Sequence, residues 1–244
     1  MSAMPWITPR WAAPARVRSL ITTRTGGVSI APRDSLNLGM HVGDDPSHVA
    51  QNRARVRALL PAEPLWLTQV HGTRVVVPGP DVAIGAEADA AVTRKTGQVL
   101  AIMSADCLPV LLADDRGEAI GIAHAGWRGL ADGVIENTGR AVAVAPGRVL
   151  AYLGPAIGPG AYEVGEDVRA AFMAHDAAAS EAFAACGGGK YHANLYLLAR
   201  MRLRALGIER IEGGDRCTLR ESADFFSYRR DRVTGRMASF IWME

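Results

Sequence analysis

The 244-residue chain is predicted to fold as one α+β domain. Apolar strand-like runs come in clusters, with helical periodicity between the clusters in place of a strict strand–helix alternation. No stretch has the length of a linker: Ala177-Ala178-Ala179 and Gly187-Gly188-Gly189 are the low-complexity patches, and there is no internal repeat. With 49% apolar and 21% charged residues the composition is that of a globular protein able to bury a core. The domain is taken as residues 1–244, with 1–17 as a peripheral N-terminal extension.

Residues 18–23 read as a strand that runs into the turn Arg24-Thr25-Gly26-Gly27. A helix starts at Asp45-Pro46-Ser47, shows an apolar stripe of Val49, Val56, Leu59 and Leu60, and stops at Pro61. Strands are expected at 65–70 and 73–77 around His71-Gly72, and at 88–93. Three more apolar runs follow at 99–104, 108–113 and 119–123. After His124-Ala125-Gly126-Trp127-Arg128-Gly129 the period turns helical, with Leu130, Val134, Ile135, Thr138 and Val142 on one side up to Pro146-Gly147. A strand at 149–153, a turn-rich loop at 154–160, helices at 166–175 and 195–206, and strands at 208–212 and 237–242 complete the reading.

Charge and cysteine usage narrow the class of function. The 27 basic and 25 acidic side chains leave a net charge of +2, which gives no basis for a nucleic-acid or membrane-surface partner. Only Lys95 and Lys190 are lysines, so the basic set is nearly all arginine, the side chain suited to planar anion recognition. Three widely spaced cysteines, Cys107, Cys186 and Cys217, in a chain this long point to free thiols and a reducing compartment. With no secretory h-region near the N-terminus and no run of about 20 apolar residues, a cytoplasmic protein is expected, as a monomer or weak homo-oligomer.

His71 and His124 stand beside glycines at element ends, and Cys107 ends an apolar strand after Asp106. One thiolate and two imidazoles suit zinc, and three protein ligands leave a fourth position open, as in catalytic sites. Separations of 36 and 17 residues match no short zinc motif. On spacing alone the trio therefore reads first as hydrogen-bonded strand-end histidines and a small buried cysteine. Asp106 has three readings: a partner to a ligand, a proton acceptor or a turn residue. Trp127-Arg128-Gly129 at a helix start favours an anion, and Phe225-Phe226-Ser227-Tyr228-Arg229-Arg230 joins aromatic faces to two cations. A capping loop that closes the core is the alternative reading of that stretch.

A series of motifs then carries a resemblance. Thr22-Thr23-Arg24-Thr25-Gly26-Gly27-Val28-Ser29, Asn37-Leu38-Gly39-Met40-His41-Val42-Gly43-Asp44, Thr68-Gln69-Val70-His71-Gly72 and Ala105-Asp106-Cys107-Leu108-Pro109-Val110 come first. His124-Ala125-Gly126-Trp127-Arg128-Gly129, Leu153-Gly154-Pro155-Ala156-Ile157-Gly158 and Phe226-Ser227-Tyr228-Arg229-Arg230-Asp231 follow in the same order. From about residue 20 to its C-terminus the sequence resembles the YfiH, or laccase-domain, family. Departures are confined to the region around 187–195, where Asn194 stands at a usually acidic position, and to Cys186 and His192.

The resemblance implies a four-layer α/β/β/α sandwich of mixed sheets and a metal bound by His71, Cys107 and His124. It implies phosphorolysis of adenosine, inosine and methylthioadenosine, with adenosine deamination at the same site. Zinc is the expected cofactor and copper the alternative; purine nucleosides and phosphate are the expected partners. Cys107, His71, His124 and Asp106 are the candidate catalytic residues. Arg24, Arg128, Arg229 and Arg230 are the phosphate candidates, and Asn37, His41, Gln69, Phe226 and Tyr228 join them as substrate contacts. Asp106 or His41 is the expected proton shuttle.

Three other functions stay in view. A copper polyphenol oxidase needs more ligands than two histidines and one cysteine supply. A Cys-His hydrolase would use Cys107 as nucleophile and His124 or His71 as base. A binding protein or peptidoglycan-editing factor would turn over no nucleoside.

Overall fold

The computed structural model describes residues 6–79, 82–83, 85–142 and 145–244. Strands β1 (Trp6–Ile7) and β2 (Val17–Thr22) precede helix α1 (Pro46–Arg57), and the short β3 (Pro64–Leu65) and β4 (Val75–Val76) come next. The central strands are β5 (Ala90–Thr93), β6 (Val99–Ser104), β7 (Leu108–Asp114) and β8 (Ile120–Ala125). Helices α2 (Trp127–Asp132) and α3 (Val134–Val142) lead to β9 (Val149–Leu153), β10 (Glu163–Val164) and α4 (Glu166–Met173). Then come β11 (Phe183–Gly187), β12 (Lys190–Ala193), α5 (Leu195–Ala205), β13 (Arg210–Gly213), the one-turn α6 (Tyr228–Asp231) and β14 (Met237–Met243).

Two mixed sheets, ordered β1-β2-β14-β6-β3 and β13-β9-β7-β8-β5-β4, form the centre. The pleat of β6 sends Leu100 and Ile102 to one face and Val99, Ala101 and Met103 to the other. Leu100 and Ile102 meet Leu111, Ala113, Ile120 and Ile122 of the second sheet in an inter-sheet core. Val99, Ala101 and Met103 pack with Phe240 under Val56 of α1 and Leu60 just beyond it. On the far side of the second sheet, Val110, Leu112 and Ala123 lie beneath Leu130, Val134 and Ile135 of α2 and α3 and Leu198 and Leu203 of α5. The order is helix, sheet, sheet, helix, which is the four-layer sandwich. Coverage on both faces explains why β6, β7, β8 and β9 are buried at every residue and read as unbroken apolar runs. Each such Leu or Ile contributes roughly 1.5–3 kcal/mol by its burial.

The largest departures from the sequence-based boundaries are in four places. The strands expected at 65–70 and 73–77 shrink to β3 and β4, because the amides of Val70, His71 and Gly72 bond to the Asp89 carboxylate and not to a sheet ladder. The helix expected after His124 is two helices, broken at Gly133, whose φ of 100° only glycine adopts cheaply. β8 runs on through His124 to Ala125. The glycine patch at 187–189 is the tip of the β11–β12 hairpin, in a three-stranded sheet ordered β10-β12-β11 that periodicity did not indicate. Among the described residues, no helix is long and apolar enough to cross a membrane.

Candidate metal centre and its cleft

Three separate elements converge on one point. His124 lies near the end of β8, registered with Pro109 of β7. Cys107 sits in the corner between β6 and β7, where the chain passes from one sheet to the other, and follows Asp106, whose φ is 93°. His71 is held in the left-handed region at φ 61° in the loop between β3 and β4. One ligand atom from each of these three side chains lies within 4.8 Å of the others. Cys107 Sγ and His71 Nε2 are 3.8 Å apart, and the two imidazoles meet edge-on with centroids 4.8 Å apart.

Asp89, just before β5 and fully buried, ties the arrangement together. Its Oδ1 pairs with His124 Nδ1 at 2.8 Å and accepts the His71 N–H at 2.9 Å. Its Oδ2 accepts the N–H groups of Gly72 at 2.7 Å and Val70 at 3.1 Å. One carboxylate thus fixes the His71 loop and occupies Nδ1 of His124, leaving Nε2 as the atom free to ligate a metal. Burial works to raise the Cys107 thiol, but the charge of His124 and hydrogen bonds with His124 and His71 outweigh it and bring it down to about 6. Burial likewise works to lower His124, while Cys107 and Asp89 push it up to about 9.

This donor set fits a metal ion. A thiolate with two imidazoles suits zinc or copper, and the 3.8 Å between sulfur and nitrogen lies inside the roughly 4.4 Å that one Zn–S and one Zn–N bond would span. Gly126 guards the spacing: a Cβ there would lie 2.9 Å from His71 Cδ2 and 3.0 Å from Cys107 Sγ. Gly126→Ala should therefore spread the ligands. Overpacking costs typically about 1–3 kcal/mol, so zinc affinity should fall about tenfold or more, as competition with a chromogenic chelator would read.

The three side chains open into a cleft of about 410 Å³, within the range of small-molecule sites. His41, Gln69 and Tyr228 line it with them. The Gln69 side-chain amide exchanges two 2.8 Å hydrogen bonds with the Met103 backbone and so fixes the cleft wall. Tyr228 is 50% exposed at the rim. His41 is held below its ordinary pKa, first by partial burial and then by the charges of Arg236 and Arg53.

The other expected site residues lie outside this lining. Asp106 uses both carboxylate oxygens as a clamp, accepting Thr218 Oγ1 and the Arg229 N–H, each at 2.6 Å. Arg230 donates to Asp231 and to the carbonyls of Thr218, Leu219 and Phe225. Arg24 bonds the carbonyls of Asp34 and Ser222 and pairs with the Asp34 carboxylate. Arg229 donates to the Glu163 carbonyl and lies over Tyr162. Phe226 is wholly buried, and Asn37 is buried with its amide bonded to Gly39, Asp44 and the Arg236 N–H. Arg128 is exposed over the Trp127 ring.

Two residues of the site lie outside the candidates that the sequence motifs mark. Asp89 carried a signal, a lone carboxylate in the run Ala88-Asp89-Ala90-Ala91. Arg236, which lines the cleft, stands in no recognisable motif.

The chain is similar to known proteins over almost its full length. A family model described as multi-copper polyphenol oxidoreductase laccase matches residues 18–244. A relative from Escherichia coli strain K12, named purine nucleoside phosphorylase YfiH, is 54% identical over 97% of this chain and 98% of its own. One from Pseudomonas aeruginosa, named purine nucleoside phosphorylase PA4543, is 50% identical over 98% of each. The crystal structure of Neisseria meningitidis protein NMB0706 superposes with a TM-score of 0.96 at 48% identity, covering 99% of this chain and all of that one.

Proposed function

The chain belongs to the multi-copper polyphenol oxidoreductase laccase family, and on that footing we propose that it is a zinc-dependent purine nucleoside phosphorylase. Relatives at 54% and 50% identity bear the phosphorylase name. The observation that carries the reading is the donor set at the cleft wall: one cysteine and two histidines, with a carboxylate behind one of them, suited to a single ion. Among the described residues this is the one such group of three. A laccase's several coppers would need further groups of ligands, so the polyphenol oxidase reading is not adopted.

In phosphorolysis a phosphate oxygen bonds to C1′ of the ribose as the bond to the purine nitrogen breaks. The electron pair leaves on the base, which takes up a proton. When bound, zinc supplies Lewis acidity beside the substrate. We assign to Tyr228 the stacking of the purine face at the rim. His41, its pKa lowered by burial and by the charges of Arg236 and Arg53, holds or passes the proton. We extend the same site to deamination of adenosine. Three free thiols suit a reducing compartment, and we place the enzyme in the cytoplasm.

One observation favours a second reading. The thiolate–imidazolium character of Cys107 and His124 would also serve a cysteine nucleophile. One set of incubations decides: adenosine, inosine and methylthioadenosine, each with and without phosphate and with and without a chelator. Free base should appear only with phosphate and be suppressed by the chelator; inosine formed from adenosine without phosphate would report deamination. No product from any nucleoside would refute the proposal, and base release that ignores the chelator would favour the nucleophile.

A further inference from the structure

We propose that Arg236 is the anion-binding residue of the cleft and holds the inorganic phosphate that attacks the nucleoside. The identity of the anion rests on the phosphorylase reading; the site itself rests on the unmatched charge. Most arginines near the centre have their donors committed. Arg230 is spent on three carbonyls and a carboxylate, and Arg24 is spent on two carbonyls and Asp34.

Arg236 differs from them. It reaches the cleft just before β14, lies 6.0 Å from the centroid of the Tyr228 ring at the rim, and commits only Nη1 to hydrogen bonds, with the carbonyls of Thr234 and Gly235. Among the described residues its Nε and Nη2 make no hydrogen bond, and it forms no ion pair. Burial pulls its pKa below the ordinary arginine value. A partly buried cation without a counter-ion is costly, and an anion arriving in the cleft offsets that cost.

The surroundings reinforce the site. Arg53 of α1 is half-buried and also without an ion pair among the described residues; it donates to the Leu38 carbonyl and stacks on Trp66. Its charge and that of Arg236 both act on His41, and the charges of Cys107 and Asp106 reach Arg236 only at a distance, without an ion pair. The stem of Arg236 is wedged against Gly39, where a Cβ would come within 2.9 Å of Cγ, so the guanidinium is aimed before a ligand arrives. An uncommitted Nε–Nη2 edge is the fork that binds two oxygens of one phosphate.

The test measures inorganic phosphate binding to zinc-loaded protein by calorimetry, without nucleoside, and separately the KM for phosphate and for nucleoside. Arg236→Met keeps the stem and removes the fork. Phosphate affinity should fall about 10- to 100-fold, the range for losing charge-assisted hydrogen bonds, with phosphate KM rising in step and nucleoside KM and bound zinc unchanged. Arg236→Lys keeps a point charge and should lose about 3- to 10-fold, which preserves the test should the Met variant fold poorly. Unchanged phosphate affinity in both variants would overturn the proposal while leaving phosphorolysis standing. Arg236-dependent phosphate binding in a protein that cleaves no nucleoside would uphold the anion site and remove the phosphorylase reading.

Discussion

Cys107→Ala protein should fold, bind no zinc above background and lose phosphate-dependent base release by about a thousandfold or more. The fold should survive because Cys107 supplies little to the core. The corner that carries it is held by Asp106, through Thr218, the Arg229 amide and the bond from the Ile157 N–H to the Asp106 carbonyl. What the substitution removes is the one soft ligand of the three. Elemental analysis beside the activity assay separates this account from a nucleophilic cysteine. There, activity would vanish while two histidines and any bound metal remained. Thermal melting within a few degrees of wild type would show that the loss is local.

Asp89→Asn should be the most damaging substitution that touches neither metal nor substrate. The carboxylate accepts four donors: the N–H groups of Val70, His71 and Gly72, and Nδ1 of His124. An amide offers one acceptor oxygen and turns an NH₂ toward donors. Breaking a buried charged arrangement costs about 3–5 kcal/mol, and at roughly 2–4 °C per kcal/mol for a chain of this size the melting point should drop by about 6–20 °C. Zinc affinity should fall about 10- to 100-fold, as His124 loses the partner that orients it.

The pH dependence of that difference has a definite sign. Burial works to raise the Asp89 carboxyl, but hydrogen bonds from His124 and the backbone amides outweigh it, so its folded pKa lies below the ordinary value. A depressed carboxyl contributes stability that is fully present above its unfolded pKa of about 3.9. The contribution is lost as pH falls through the folded value. The gap between wild type and Asp89→Asn should be widest near neutrality and close below about pH 4. A gap that stayed constant into acid would mean that the carboxylate charge is not what stabilises the site.

The contrast between these two residues shows what a single sequence carries. Strands β6 and β9 fall on their expected ranges because both sheet faces are covered, so apolar character alone marks them from end to end. The β11–β12 hairpin has the opposite property: most of β11 is exposed, and its tip is three glycines, so no burial pattern betrays it. His71, Cys107 and His124 were legible as residue types next to glycines and turns, and their meeting within 4.8 Å follows from the chain crossing between sheets, which periodicity does not encode. The arginines misled for a physical reason. Arg24 and Arg230 sit in dense motifs and spend their donors on loop carbonyls, whereas Arg236 bonds only the two residues before it and keeps Nε and Nη2 uncommitted, a difference visible only in the folded chain.

The proposed site holds a single metal ion per chain at His71, Cys107 and His124, and turnover depends on it. Its most direct test is a titration of chelator-stripped protein with zinc while phosphate-dependent base release is followed. Activity should rise linearly from near zero and stop at one equivalent per chain. Full activity before any zinc is added, or a rise that continues to several equivalents and is reproduced only by copper, would rule out a single catalytic zinc.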